Sequence, residues 1–125
     1  MRFAIVHHRI PPDFGVESKC VSRLELRAVA LVDFCHTLQK LDAIGALEVV
    51  FRLTNTIDKP WWENVEISLL HDGRRMLDGK GGIRSTSCGD VVEYEGVFYL
   101  CDKFGWTELK DIGSGQTLVS CDGVS

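Results

Sequence analysis

Three things are scarce in this sequence, and each absence narrows what the chain can be. No run approaches the ~18–20 apolar residues of a membrane-spanning helix, and Arg2-Phe3-Ala4-Ile5-Val6, ended by His7-His8-Arg9, is too short for a signal peptide; no membrane association is expected. Basic charge is not in excess, with 14 Lys and Arg against 18 Asp and Glu and a formal net charge of −4. Nucleic-acid binders draw much of their affinity from neutralising phosphates. The one basic cluster, Arg74, Arg75, Lys80 and Arg84, is broken by Asp72 and Asp78, which disfavours nucleic acid as a partner. Closely spaced cysteines are missing too. Cys20, Cys35, Cys88, Cys101 and Cys121 are widely separated, whereas zinc ligands usually arrive in close pairs. An odd count without secretory context reads as free thiols packed as small hydrophobes in a reducing, cytoplasmic compartment. No metal or other cofactor is expected.

What remains is the make-up of one ordinary globular domain: 125 residues, 45% hydrophobic and 26% charged. Such a chain buries roughly two-thirds of its unfolded surface, enough for a core without disulfide or metal. Hydrophobic period predicts a strand over 2–8, stopped by Pro11-Pro12. From 24 to 34, Leu24, Leu26, Ala28, Ala30, Val32 and Phe34 share one face with Glu25, Arg27 and Asp33 opposite, the period of a half-buried strand, although Ala28–Leu31 reads equally as helix. Over 42–57 the period becomes helical, with Ala43, Ala46, Leu47, Val50, Phe51, Thr54 and Ile57 on one side, Asp42 as N-cap and Lys59-Pro60 as the stop. A start nearer His36 would place Gly45 inside the helix. A strand at Val65, Ile67 and Leu69 closes at Asp72-Gly73, and 76–82 reads as a glycine-rich loop. Residues 90–95 and 97–102 form a hairpin turning at Glu95-Gly96, followed by a short strand over 107–109. The expected fold class is α+β: a small single domain over 1–112, one main helix on a mostly antiparallel sheet with a C-terminal β-hairpin, and a frayed Gly/Ser-rich tail over 113–125.

Familiar catalytic motifs do not fit. The stretch from Gly73 to Lys80 superficially resembles a phosphate loop, but it has one residue too many between its glycines, and Gly81 stands where Ser or Thr would ligate magnesium. Four histidines and several cysteines offer no spacing that defines a nucleophile, base and orienting acid. The chain reads more as a non-enzyme than as an enzyme, and no catalytic residue is assigned.

Two patches stand apart. One runs from Phe51-Arg52-Leu53-Thr54-Asn55 to Trp61-Trp62-Glu63-Asn64; the other is Arg84-Ser85-Thr86-Ser87-Cys88-Gly89-Asp90-Val91-Val92, answered by Phe104-Gly105-Trp106. One tryptophan of the adjacent pair is expected to plug the core and the other to be partly exposed as a contact residue. Arg84 either clasps Asp90 or Glu63 or, with the hydroxyls, surrounds an anion; Asp90 is expected to hold the Ser/Thr turn. The candidate binding residues are Asn55, Trp61, Trp62, Asn64, Arg84, Ser85, Ser87, Asp90 and Trp106.

These same segments resemble a family of small uncharacterised bacteriophage and mobile-element proteins that share an FRLTN, WxN, RSTSxGDV and FGW signature; the second half is also similar to the YodL-like domains of mobile-element polyproteins. The resemblance spans about residues 50–109, and Cys88 stands where the family tends to carry an aliphatic residue. It implies no activity and transfers no catalytic residue. It implies a phage or mobile-element accessory protein that binds a host macromolecule, such as a host protein of defence or transcription, in the host cytoplasm. The alternatives are a small ligand- or nucleotide-binding module or small enzyme using Arg84, Ser85, Thr86, Ser87 and Asp90, and a structural homo-oligomerisation module, such as a homodimer, that buries Trp62.

Overall fold

The computed structural model of the chain describes residues 3–9, 20–34, 42–79, 82–102, 105–111 and 117–120. In chain order its elements are β1 (Phe3–Arg9), β2 (Cys20–Ser22), β3 (Leu26–Asp33), α1 (Ala43–Leu53), β4 (Ile67–Leu69), α2 (His71–Asp78), β5 (Val91–Tyr94), β6 (Val97–Asp102), β7 (Gly105–Asp111) and β8 (Thr117–Ser120), with 3-10 turns at Arg23–Glu25 and Trp61–Glu63. All strands join one sheet in the order β2-β8-β7-β6-β5-β1-β3-β4, and every pairing is antiparallel. This is the expected α+β class.

Chain geometry forces that sheet to curl. Six strand-to-strand steps separate β2 from β3 in the order, about 29 Å if the sheet were flat. Only Arg23–Glu25 joins the two strands, and the four steps from Ser22 to Leu26 reach at most about 14 Å. The β2 edge must therefore return towards β3. The inner side chains agree: Val21, Val91, Leu100 and Leu109, from four different strands, form one buried cluster with Leu26 and Phe98 against it. The Arg23 guanidinium lies 4.7 Å from the centre of the Phe98 ring.

The outer face carries the larger core. Ala4 and Val6 of β1, Ala30 and Val32 of β3, and Val92 and Tyr94 of β5 meet Ala46, Leu47 and Val50 of α1 there. The Asp42 carboxylate accepts the Gly45 N–H at 2.7 Å and starts α1 as expected. The helix ends at Leu53, however, well short of Pro60. The Thr54 hydroxyl donates to the Val50 carbonyl at 2.9 Å and the Asn55 amide to the Phe51 carbonyl at 2.9 Å. These side chains satisfy the last carbonyls and stop the helix, so Ile57, expected on the buried face, is fully exposed.

Further corrections share a cause in tertiary contact. The single buried face expected for 24–34 is interrupted by a bulge: Val6 pairs with Ala30 but His7 with Ala28, leaving Val29 as the extra residue. Leu26 and Ala28 consequently line a cleft with His7 and Phe98, while Ala30, Val32 and Phe34 face the helix layer. The segment expected to turn at Asp72-Gly73 and become a loop is helical over His71–Asp78. Gly73 lies so close to the bulge that a Cβ there would sit 2.1 Å from the Val29 carbonyl oxygen. Thr117–Ser120, expected in a frayed tail, forms β8, which pairs with both β7 and β2. The Pro11-Pro12 stop, an earlier helix start near His36, Phe104, Cys35, Cys121 and the remainder of 113–125 lie outside the described residues. Among the described residues no helix is long and apolar enough to cross a membrane.

Candidate functional site

The second sequence patch folds around one tight turn. The Asp90 N–H donates to the Ser87 carbonyl at 3.0 Å, and Gly89, third in the turn, has φ +97°, the conformation a type II turn requires and side chains resist. The Gly89 N–H donates to the Cys101 carbonyl at 2.8 Å and the Cys101 N–H to the Asp90 carbonyl at 2.9 Å. Two residues thus oppose one, and this bulge swings the Asp90 side chain inward.

Asp90, 1% exposed, is the hub. Its Oδ1 accepts the Arg9 backbone N–H at 2.9 Å and Arg84 Nη2–H at 2.7 Å; its Oδ2 accepts Arg84 Nη1–H at 2.6 Å and the Ser87 N–H at 2.9 Å. The fork-to-fork pair fixes direction as well as charge. Arg84 also donates from Nη1 to the Ser85 carbonyl at 3.1 Å and from Nη2 to the Arg9 carbonyl at 3.2 Å. Of the partners expected for Arg84, the structure shows Asp90. A carboxylate with its lone pairs so filled has no acceptor left to take a substrate proton.

Other candidate residues lock the same cluster. Trp61 is the buried plug, donating its Nε1–H to the Ile83 and Arg84 carbonyls at 3.1 Å each. Asn55 donates to the Thr86 carbonyl at 3.1 Å, tying the end of α1 to the Arg84 loop. Asn64 is buried and donates to the Leu53 carbonyl at 2.8 Å. Trp62 is half-buried, edge-on to Trp61 with ring centroids 5.9 Å apart, and lies against Gly82. Trp106 meets Phe51 of α1, centroids 6.3 Å apart with planes at 81°, and packs, like Trp62, against the main core.

Sequence reasoning placed Thr86 in the patch but missed His8 and Arg9 as members of the cluster. His8 was legible by period: it shares the face of Ala4 and Val6 on β1. Its Nε2 lies 3.3 Å from Thr86 Oγ1 and 3.9 Å from Asp90 Oδ2, and its ring centroid 6.1 Å from that of Trp61. Burial pushes its pKa down to about 4 against the opposing pull of Asp90.

A pH dependence follows. An unfolded imidazole titrates near 6.5, so between about pH 6.5 and pH 4 the unfolded chain binds a proton that the folded protein refuses. Stability from this group is complete above pH ~6.5 and falls as the pH drops, by about 2–3 kcal/mol at pH 4.5. Urea unfolding at pH 7 and pH 4.5 should show a loss in wild type that is smaller by about that amount in His8→Gln; equal losses in the two proteins would place the titration elsewhere.

His7 points the other way, its Nε2 3.3 Å from Glu93 Oε1 in a cleft of about 250 Å³ that it lines with Arg23, Leu26, Ala28, Glu93 and Phe98. Burial lowers the His7 pKa, with the Glu93 hydrogen bond opposing it. Among the described residues no three His, Cys, Asp or Glu side chains converge to hold a metal ion.

Fold and cluster together define an α+β domain with an Arg–Asp lock at the edge of its core. Compared with family models, curated proteins and solved structures, the chain matches none.

Proposed function

We propose that the protein is a non-catalytic binding module that docks onto another protein, in the setting its sequence resemblance implies a host protein met by a phage or mobile-element accessory factor. The observation that carries this reading is a contrast. Arg84 and Asp90, the groups an anion site or an enzyme would use, are engaged with each other and with nearby backbone. Meanwhile Ile57 is 100% exposed and Val65 80% exposed, on a connection that is pinned in place.

The Thr56 hydroxyl donates to the Lys59 carbonyl at 3.1 Å, and the Asn64 amide lies 3.5 Å from the Thr56 hydroxyl, drawing the segments that carry Ile57 and Val65 together. Single exposed apolar side chains are ordinary. Two held on a fixed loop lose little entropy when a partner covers them, which favours their use in contact. Half-buried Trp62 lies between them in sequence and adds an aromatic surface.

The test is affinity capture from host lysate with wild type and with Ile57→Asp/Val65→Asp, both proteins checked by circular dichroism and urea unfolding. Stability should change by less than about 0.5 kcal/mol, and a protein retained by wild type should be lost from the variant. Identical capture profiles would sink the reading.

A further inference from the structure

We propose that the cleft between α1 and the β6–β7 end is a receptor for an alkylammonium group, used to take up a lysine side chain of the partner protein. The source of that ammonium rests on the protein-binding reading; the chemistry of the cleft does not. Its lining is Glu48 and Phe51 of α1, Cys101 and Asp102 of β6, and Gly105 and Trp106 of β7, around about 160 Å³. A single water-sized group needs only about 10–15 Å³ of such space, so the cleft is roomy enough for the end of a lysine side chain.

The lining suits a cation in three ways. The Phe51 and Trp106 planes stand at 81°, giving two aromatic walls at a corner, and aromatic faces attract ammonium groups through their quadrupoles. Glu48 is exposed and precedes Phe51 by three residues on α1, hence on the same side of the helix. Asp102 Oδ2 accepts the Thr107 hydroxyl, which fixes the second carboxylate at the rim. Cys101 supplies a neutral wall: burial pushes its thiol up to about 12. Among the described residues no Lys or Arg lines the cleft, although Arg52 lies one turn beyond Glu48 and Lys103 follows Asp102 in sequence, and the net charge of −4 favours approach of a basic partner.

Amide and indole NMR of the intact protein tests this directly. N-acetyl-lysine methylamide should shift the Trp106 indole N–H saturably. The norleucine analogue, which keeps the methylenes and lacks the ammonium, should not, and choline should compete with the lysine probe. Glu48→Gln, at an exposed position where folding is undisturbed, should weaken the probe at least about threefold, as should raising the salt from 50 to 500 mM. No shift at millimolar probe, an equal response to norleucine, or indifference to Glu48→Gln overturns the proposal.

A separate arm reads the partner. Ile57→Asp/Val65→Asp should bind the lysine probe as wild type does, while Glu48→Gln should retain less captured protein. Partner capture without probe binding would sink the cleft alone. Probe binding with no partner captured would sink the protein-binding reading and overturn the assignment to a partner lysine.

Discussion

Arg84→Ala is expected to destabilise the protein by about 4 kcal/mol, within the range for removing one member of a buried ion pair. The substitution leaves the Asp90 carboxylate, 1% exposed, with only the Arg9 and Ser87 backbone N–H groups. It also removes the donor that the Arg9 carbonyl, distant in sequence, accepts from Arg84 Nη2. Arg84→Lys should recover only part of the loss, because one ammonium cannot reproduce a two-pronged contact. Urea unfolding at pH 7 measures both variants. A change below about 0.5 kcal/mol for Arg84→Ala would mean that the pair is a surface contact and that the lock holds nothing together. As whole domains are stable by only about 5–15 kcal/mol, a loss of the expected size should be visible in expression and protease resistance.

Gly73→Ala should do the opposite of what helix propensity says. In an exposed helix interior alanine is favoured over glycine by roughly 1 kcal/mol. Here the new methyl would lie 2.1 Å from the Val29 carbonyl oxygen, 3.0 Å from its carbon and 3.2 Å from Leu69 Cδ2. That carbonyl cannot swing away cheaply, since it accepts the Leu70 N–H at 2.9 Å at the point where the chain turns into α2. The helix must retreat instead, exposing Met76 and Leu77, which pack against the main core. The expected cost is about 3 kcal/mol, accompanied by faster hydrogen exchange at the Leu70 amide. A stabilised Gly73→Ala would show that α2 is not seated on the bulge.

The parts of the fold that local chemistry determines could be read directly from the sequence. Glu95-Gly96 between alternating runs predicts a hairpin, and both residues have the positive φ values, 51° and 80°, that such a turn needs. Asp42 marks the start of α1 by its side chain alone. Elements held by distant partners were hidden. α2 offers a glycine in its first turn and only Met76 and Leu77 as apolar anchors, so nothing local announces a helix. β8 gains its hydrogen bonds from β7 and β2 and carries no strong period of its own. The bulge at Val29 resets which face is buried halfway along β3, a change visible only once β1 is alongside.

The candidate site divides the same way. Ser87, Gly89 and Asp90 share one turn and Arg84 lies six residues before Asp90, and a clasp between Arg84 and Asp90 was among the readings the sequence allowed. The contribution of Arg9, 81 residues away from Asp90, and of His8 required the fold. Trp106 belongs to the same motif, and its seat against Phe51 beside a cleft likewise required the fold.

The curl of the sheet has a consequence for how the protein comes to be made. β2 is ordered in the sheet only through β8, so a strand near the beginning waits for one close to the end of the sequence. During synthesis β2, α1, β3 and β4 emerge before Thr117–Ser120, the strand that pairs with β2. Long loops must close before such contacts reward them, which slows folding. Over that interval the apolar inner face lined by Val21, Val91, Leu100 and Leu109 stays open, and chaperones or neighbouring nascent chains have their opportunity to bind it.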